Sequence, residues 1–416
     1  MSGEIQKIVS CLDDYDPNAL RVDKAREAIK ACMKPVSATE KVAIRSALGR
    51  VLAQDVVPAI DVPSHDNSAM DGYALRLSKD KTYREIGTAL AGRPFAGKVG
   101  PGECVRIMTG AVMPEGTDTV VIQEIVKAEN GTIQVPDGQK TGQNVRYAGE
   151  DLKVGVPVLA PGKLLRPAEI GLVASLGISH IEVKKRLRVA FFSTGDELAS
   201  IGTTLKEGEV YDSNRYTLHG MLSRLGVEIL DLGVVRDDPA LLEKAFQKAS
   251  RDADVVVTTG GVSVGEADFV KQLMAKLGEV LFWKIAMRPG RPMAFGRIGD
   301  AFLFGLPGNP VAVMVTFYQF VRDSLLHLSG RTDGYEIPLL KAIAAENLRK
   351  VPGRTEFQRG ILFKDADEWK VKITGQQGSG VLRSMSEANC FIVLEHDRGK
   401  VQAGETVRVQ LFEGLA

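Results

Sequence analysis

Apolar and polar positions recur along this chain with two different periods. In residues 22–33 the apolar side chains Val22, Ala25, Ala28, Ile29 and Cys32 return at helical spacing, and the pattern stops before Pro35. That predicts a helix. A weaker helical pattern over 39–53, with Gly49 inside it, predicts a second one. Residues 55–63 read as extended chain, since Pro58 and Pro63 limit any helix. Short β-type runs over 104–108, 119–125 and 132–135, divided by Gly and Pro turns, predict a small all-β unit. Asn130-Gly131 between the last strands is a two-residue hairpin signal. Residues 167–176, with Pro167 in the first turn, predict a further helix. The helices flanking the β unit are expected to pack together, which makes that unit an insertion.

From 187 to 330 the period alternates. Strands are predicted over 189–193, 227–234, 254–258 and 280–285, with helices near 213–225, 239–250 and 267–277. A strand over 301–306 and a long amphipathic helix over 309–328 follow. Strands alternating with helices imply a parallel-rich sheet covered on both faces, with ligands at the carboxyl ends of the strands. Residues 337–416 return to short strands and turns, which predict a small β-barrel or sandwich. The fold class is α/β, multidomain.

Composition narrows the partners. The chain has 416 residues, a length that suits about three domains. A net charge of +1 supplies no electrostatic footprint for nucleic acid or membrane. Cys11, Cys32, Cys104 and Cys390 form no C-x-x-C pair, so neither a zinc site nor a disulfide framework is indicated. The first residues lack the apolar run of a signal peptide, and the apolar run 311–317 is too short to span a bilayer. The expectation is a cytoplasmic protein.

Candidate chemistry gathers after the strands. Gly260-Gly261-Val262-Ser263-Val264-Gly265-Glu266-Ala267-Asp268 links a buried strand to a helix, and such a turn aims backbone N–H groups at an anion. Glu197 follows the first strand of the α/β unit, Asp237 the second, and Glu266 and Asp268 the third. A single acid there usually caps the next helix, as Asp238 before Pro239 is expected to do. Acids after three strands on one rim favour a shared site. Two carboxylates ~6 Å apart at an effective dielectric of ~20 repel by roughly 3 kcal/mol, which recruits a cation such as Mg²⁺. Lys284, Arg288 and Arg291 surround a Pro-Gly turn and suit an oxyanion. Gly305-Leu306-Pro307-Gly308-Asn309-Pro310 turns into a helix N-terminus. The segment 261–265 also fits G-x-S-x-G, the nucleophile elbow of α/β-hydrolases. That reading needs a later His on the same rim, and His327 and His396 fall in a long helix and in the last β unit. No Walker A or G-x-G-x-x-G sequence occurs.

Asp66-Asn67-Ser68-Ala69-Met70-Asp71-Gly72-Tyr73, the 260–268 block and the 305–310 block, in this order, closely resemble the MoeA family, the molybdopterin molybdenumtransferases also seen in the E domain of gephyrin. The resemblance covers nearly the whole chain. It implies an elongated molecule with a helical linker domain (1–58 plus 150–185), an inserted β domain (59–149), a molybdopterin-binding α/β domain (186–331) and a C-terminal β-barrel (332–416). It implies insertion of molybdate into adenylylated molybdopterin with Mg²⁺-dependent release of AMP. A homodimer is implied too, with Asp71 reaching the rim of the other subunit, and a molybdopterin adenylyltransferase as supplier of substrate. Carried over by motif, the catalytic set is Asp71, Thr109, Asp151, Glu197, Asp237 and Asp268, with Glu197, Asp237 and Asp268 on the metal. The substrate-binding set is Gly260, Gly261, Ser263, Gly265, Lys284, Arg288, Pro307, Gly308, Pro310, Arg354 and Ser379. Arg288 and Arg291 stand where close relatives often have lysine, which keeps the charge and changes the donor geometry. A non-catalytic, gephyrin-like scaffold is the alternative.

Overall fold

The computed structural model describes residues 3–10, 16–261, 268–332 and 334–412, with the backbone alone at 9–10 and 268–271. Its central sheet runs in the order Glu228–Val235, Arg188–Thr194, Val255–Thr259, Ala301–Leu306, Pro292–Ile298, Gly278–Lys284. The first four strands are parallel. Pro292–Ile298 is antiparallel to both of its neighbours, so Gly278–Lys284 again points its carboxyl end at the same rim as the parallel strands. Val255–Thr259 is buried at every position, as a strand covered on both faces must be. Pro292 sits at the first position of its strand, where a missing N–H is tolerated.

Helices Ser213–Arg224, Pro239–Asp252 and Asp268–Leu277 cover the sheet. The 310–328 helix forms as expected but contains a π turn at Phe317–Val321. Gln319 lies in that turn, and its carbonyl accepts from Arg26 Nε at 2.9 Å, so an outside donor satisfies a carbonyl where the α-helical ladder shifts.

Two expectations fail. Residues 39–53 do not form a helix. Thr39–Ala43 is a strand antiparallel to His180–Lys184, followed by a 3₁₀ turn at Ile44–Ser46 and a left-handed Gly49 with φ 72°. Cross-strand pairing wins over a weak helical period, and Gly49 ends any helical continuation. The packing expected between the segments flanking the β unit fails for helix Val22–Cys32 and holds for residues 39–53, whose Ala47 and Leu52 share a core with helix Pro167–Ser175. Val22, Ala25, Ala28 and Ile29 of helix Val22–Cys32 are buried with Phe317 and Phe320 of the long helix, whereas Val173 of helix Pro167–Ser175 is buried with Leu52, Leu165 and Val183. Helices are few in the linker.

The inserted unit is a six-stranded half-barrel sheet in the order Thr119–Ile122, Gly72–Leu75, Glu103–Ile107, Thr82–Ala89, Thr132–Gln134, Lys127–Glu129. Its last hairpin turns through Asn130 and Gly131 at φ 49° and 73°, the positive-φ pair that the Asn-Gly signal requires. At the C-terminus, Thr355–Asp365, Glu368–Ile373, Leu339–Ala344, Thr406–Leu411 and Cys390–Leu394 close into a barrel, because the last strand pairs back with the first. Its inner residues include Val371, Ile392 and Val409, while Phe357, Phe391 and Val393 face outward into the α/β core. This seam fixes the barrel beside the sheet.

Candidate active site at the carboxyl rim of the sheet

Glu197 and Asp237 are exposed and follow neighbouring parallel strands, Arg188–Thr194 and Glu228–Val235. The two turns touch: the Asp237 N–H donates to Asp196 Oδ1 at 3.3 Å. Asp238 caps its helix as expected, accepting from Ala240 N and Leu241 N at 2.9 Å each. Asp268 opens helix Asp268–Leu277, and its side chain lies outside the described residues, as do Ser263, Gly265 and Glu266. Among the described residues no group of three or more His, Cys, Asp or Glu is arranged to hold a metal.

Gly260 and Gly261 follow the central strand with φ 87° and 66°. A Cβ on Gly260 would come within 2.5 Å of the Thr194 carbonyl, so only glycine lets these two strand ends approach so closely. The Gly260 N–H donates to Leu306 O at 3.2 Å, which ties this turn to the Pro307–Pro310 turn. Asn214 Nδ2 donates to Gly308 O at 2.7 Å and ties it to helix Ser213–Arg224.

The cationic side of the rim is built with the barrel. Lys284 ends its strand, and Met287–Arg288 pairs with Thr355 and Glu356 of the barrel. Arg354 Nε donates to Glu356 Oε1 at 3.2 Å. The Ser379 carbonyl accepts from Val311 N at 3.0 Å, in the first turn after Pro307–Pro310. The fold thus gathers Glu197, Asp237, Gly260, Gly261, Lys284, Arg288, Pro307, Gly308, Pro310, Arg354 and Ser379 around one edge of the sheet and its seam with the barrel.

Asp71, Thr109 and Asp151 lie elsewhere. Asp71 accepts from both the amide and the hydroxyl of Thr109, at 2.7 Å each. These bonds, the amide first, hold its carboxyl below the usual range. Asp151 donates its N–H to Val62 O at 3.1 Å. Among the described residues no hydrogen bond or ion pair joins any of the three side chains to the rim.

Three polar residues of this region escape sequence reasoning. Asp212 and Asn214 are buried, and among the described residues Asp212 Oδ2 and Asn214 Oδ1 have no hydrogen-bond partner. Asp212 Oδ1 caps helix Ser213–Arg224 by accepting from Arg215 N at 3.1 Å. The Asp-Ser-Asn run before a helix is a legible capping signal. Arg359 is a buried cation in a barrel strand, and nothing in its sequence neighbourhood marks it out. An 870 Å³ cavity lined by Arg26, Gln319 and Asp323 shares no residue with the rim.

Comparison with known proteins now decides the family. The model for the MoeA N-terminal region (domains I and II) matches residues 20–177, the one for a probable molybdopterin binding domain 190–327, and the one for the MoeA C-terminal region (domain IV) 341–412. The chain belongs to the MoeA family. It is 45% identical over 401 residues to a molybdopterin molybdenumtransferase of Haemophilus influenzae, covering 95% of this chain and 99% of that one. A Nostoc molybdopterin molybdenumtransferase is 35% identical, covering 89% and 88%. The crystal structure of a MoeA molybdopterin biosynthesis protein from Pyrococcus horikoshii matches with a TM-score of 0.83 at 29% identity, covering 95% of this chain and all of that one. The MoeA fold therefore extends over the four units described above.

Proposed function

We propose that this MoeA chain acts in molybdenum cofactor biosynthesis, inserting molybdate into adenylylated molybdopterin and releasing AMP. The observation that carries this reading is the rim itself: Glu197 and Asp237 follow neighbouring strands beside the Gly260–Gly261 turn, and Lys284, before Arg288, ends a strand whose carboxyl end lies on the same rim. A substrate with a pyrophosphate and an oxyanion co-substrate needs donors and cations, and a purely acidic edge would repel both.

The donor set at the acidic edge consists of carboxylate oxygens, which suit Mg²⁺. Glu197, Asp237 and Asp268 would hold it, and the ion would withdraw charge from the pyrophosphate. The chain's own groups do the rest. The Gly260–Gly261 turn, free of side chains, lets the substrate approach the strand ends, and Lys284 and Arg288 neutralise phosphate or molybdate. Their contribution is charge stabilisation by preplaced donors.

Asp71, Thr109 and Asp151 enter this site from a second copy in a homodimer. Thr109 and Asp151 are exposed and Asp71 is half-buried, which supports this, and so do Gly171 and Gly220. Both glycines sit inside helices on exposed faces, and a Cβ added at either would meet nothing within 4 Å. A mid-helix glycine costs about 0.5–1 kcal/mol relative to alanine, a cost offset where another chain packs closely on it. The division into 1–58 with 150–185, 59–149, 186–331 and 332–416 belongs to the same reading, with helix Val22–Cys32 lending its apolar face to the α/β core. We place the protein in the cytoplasm, taking substrate from a molybdopterin adenylyltransferase. Cys32, Cys104 and Cys390 are free, as a reducing compartment requires, and no helix among the described residues is long and apolar enough to cross a membrane. A scaffold role alone would not need the paired acidic and cationic edges. AMP release dependent on added molybdate tests the proposal, and tight pterin binding without release would favour the scaffold.

A further inference from the structure

A smaller cavity, of 330 Å³, lies at the opposite end of the sheet. Leu187, Gly226 and Val227 line it, and they come immediately before strands Arg188–Thr194 and Glu228–Val235. Glu197 and Asp237 follow the same two strands. Strands of seven and eight residues, rising ~3.3 Å per residue, set this cavity roughly 20 Å from the carboxyl rim.

Its lining is one-sided in charge. In a chain of net charge +1, the described residues around it include seven Lys and Arg and no Asp or Glu. Three of the cations are consecutive: Lys184 ends strand His180–Lys184, and Lys185 and Arg186 follow in the link to the next strand. Arg50, 7% exposed, joins them, with its Nη2 donating to the Lys184 carbonyl at 2.7 Å. Arg186 Nη1 donates to the Gly226 carbonyl, which ties its guanidinium to the end of helix Ser213–Arg224. Glu40 is the carboxylate these cations act on. The Arg50 hydrogen bond first, then the charges of Arg50, Lys185 and Arg186, hold it below the usual range. Among the described residues no ion pair engages Lys184, Lys185 or Arg186. One carboxylate against four cations leaves the cavity positive.

Aromatic surface completes the lining. The rings of Tyr318 and Phe412 are 6.0 Å apart and within 7° of parallel. We propose that this cavity at the amino ends of the strands binds a phosphate group, carried by a nucleotide or free in solution. A phosphate dianion takes several charge-assisted hydrogen bonds at once, and Lys184, Lys185 and Arg186 supply the donors. The aromatic pair offers a nucleotide base a stacking surface, which inorganic phosphate does not use. Binding here is separate from the reaction at the carboxyl rim and needs no turnover.

Equilibrium dialysis of the full chain against AMP, inorganic phosphate and adenosine tests this, with Lys185→Glu, Lys185→Gln and, at the other rim, Lys284→Glu. Lys185 is exposed, and among the described residues no hydrogen bond holds its side chain, so Tm should not change in either of its variants. AMP should bind at a site that Lys284→Glu retains and that adenosine does not fill. Its Kd there should rise about tenfold or more in Lys185→Glu and about two- to fivefold in Lys185→Gln, the scale of losing one charge-assisted contact. A Kd for AMP at least about fivefold below that for inorganic phosphate assigns a nucleotide, and any smaller difference assigns the free anion. No saturable binding outside the carboxyl rim, or titrations unchanged by Lys185→Glu, would overturn the proposal. Phosphate binding seen only after removal of residues 413–416 would overturn it too, leaving the cavity to the chain itself.

Discussion

Asp71 takes two hydrogen bonds from one residue, the amide and the hydroxyl of Thr109, each at 2.7 Å. The pair presents a carboxylate that stays ionised below the usual carboxylate range, oriented by a strand end rather than by a counter-ion. Thr109→Val removes the hydroxyl donor and keeps the amide. The Asp71 pKa should then rise toward its ordinary value of ~3.9 without reaching it. Because the folded pKa is the lower one, any stability from this pair is present above ~3.9 and is lost as the pH falls through the folded value. In Thr109→Val that loss begins at higher pH. Carbon-13 titration of the Asp71 carboxyl in both proteins checks this; identical titration curves would remove the hydroxyl from the account.

If Asp71 serves the rim of a second copy, two inactive chains should rescue each other. Asp71→Asn and Asp237→Asn are each expected to be nearly inactive alone. Mixed and reassorted at equal amounts, half of the dimers are hybrids, and each hybrid holds one intact site of two. About a quarter of full activity should therefore return, on the symmetric-dimer count. No recovery, with hybrids verified by mass, would place both residues in the same chain's site.

Asp268→Asn should keep the fold and lower turnover by ~10²–10³, the scale of losing one preplaced electrostatic group. The change is nearly isosteric at a helix start, so Tm is expected to move little. Undiminished turnover would take Asp268 out of the mechanism.

The seam between barrel and sheet predicts a stability effect. Phe391 is 1% exposed and meets Phe412, Tyr318 and Phe357, with ring centroids 4.5, 6.0 and 6.2 Å away. Phe391→Ala should cost about 3–5 kcal/mol in denaturant unfolding, as for other large aromatic deletions in cores. A cost under about 1 kcal/mol would mean that the seam repacks around the gap.

Much of this arrangement can be read from the chain. Val255–Thr259 is continuously apolar or β-branched, the helices at 213, 239 and 268 follow their strands, and Asn130-Gly131 turns as its composition demands. Those features are local, so local rules find them. Residues 39–53 mislead because their strand partner, His180–Lys184, lies far along the chain and pairing overrides a weak period. Strand Pro292–Ile298 escapes notice because it begins at a proline and contains Gly296. The rim follows from the rule that places ligands at carboxyl ends of strands. Asp212 and Arg359 do not, since burial of a polar group depends on what packs over it. The union of Arg288 with the barrel depends likewise on an interface between units.

The most direct test of the whole account is AMP release from the purified chain supplied with adenylylated molybdopterin and Mg²⁺, with and without molybdate. The account predicts release that requires molybdate and yields the molybdenum-loaded cofactor. Release at the same rate without molybdate would contradict it and leave a phosphohydrolase in its place.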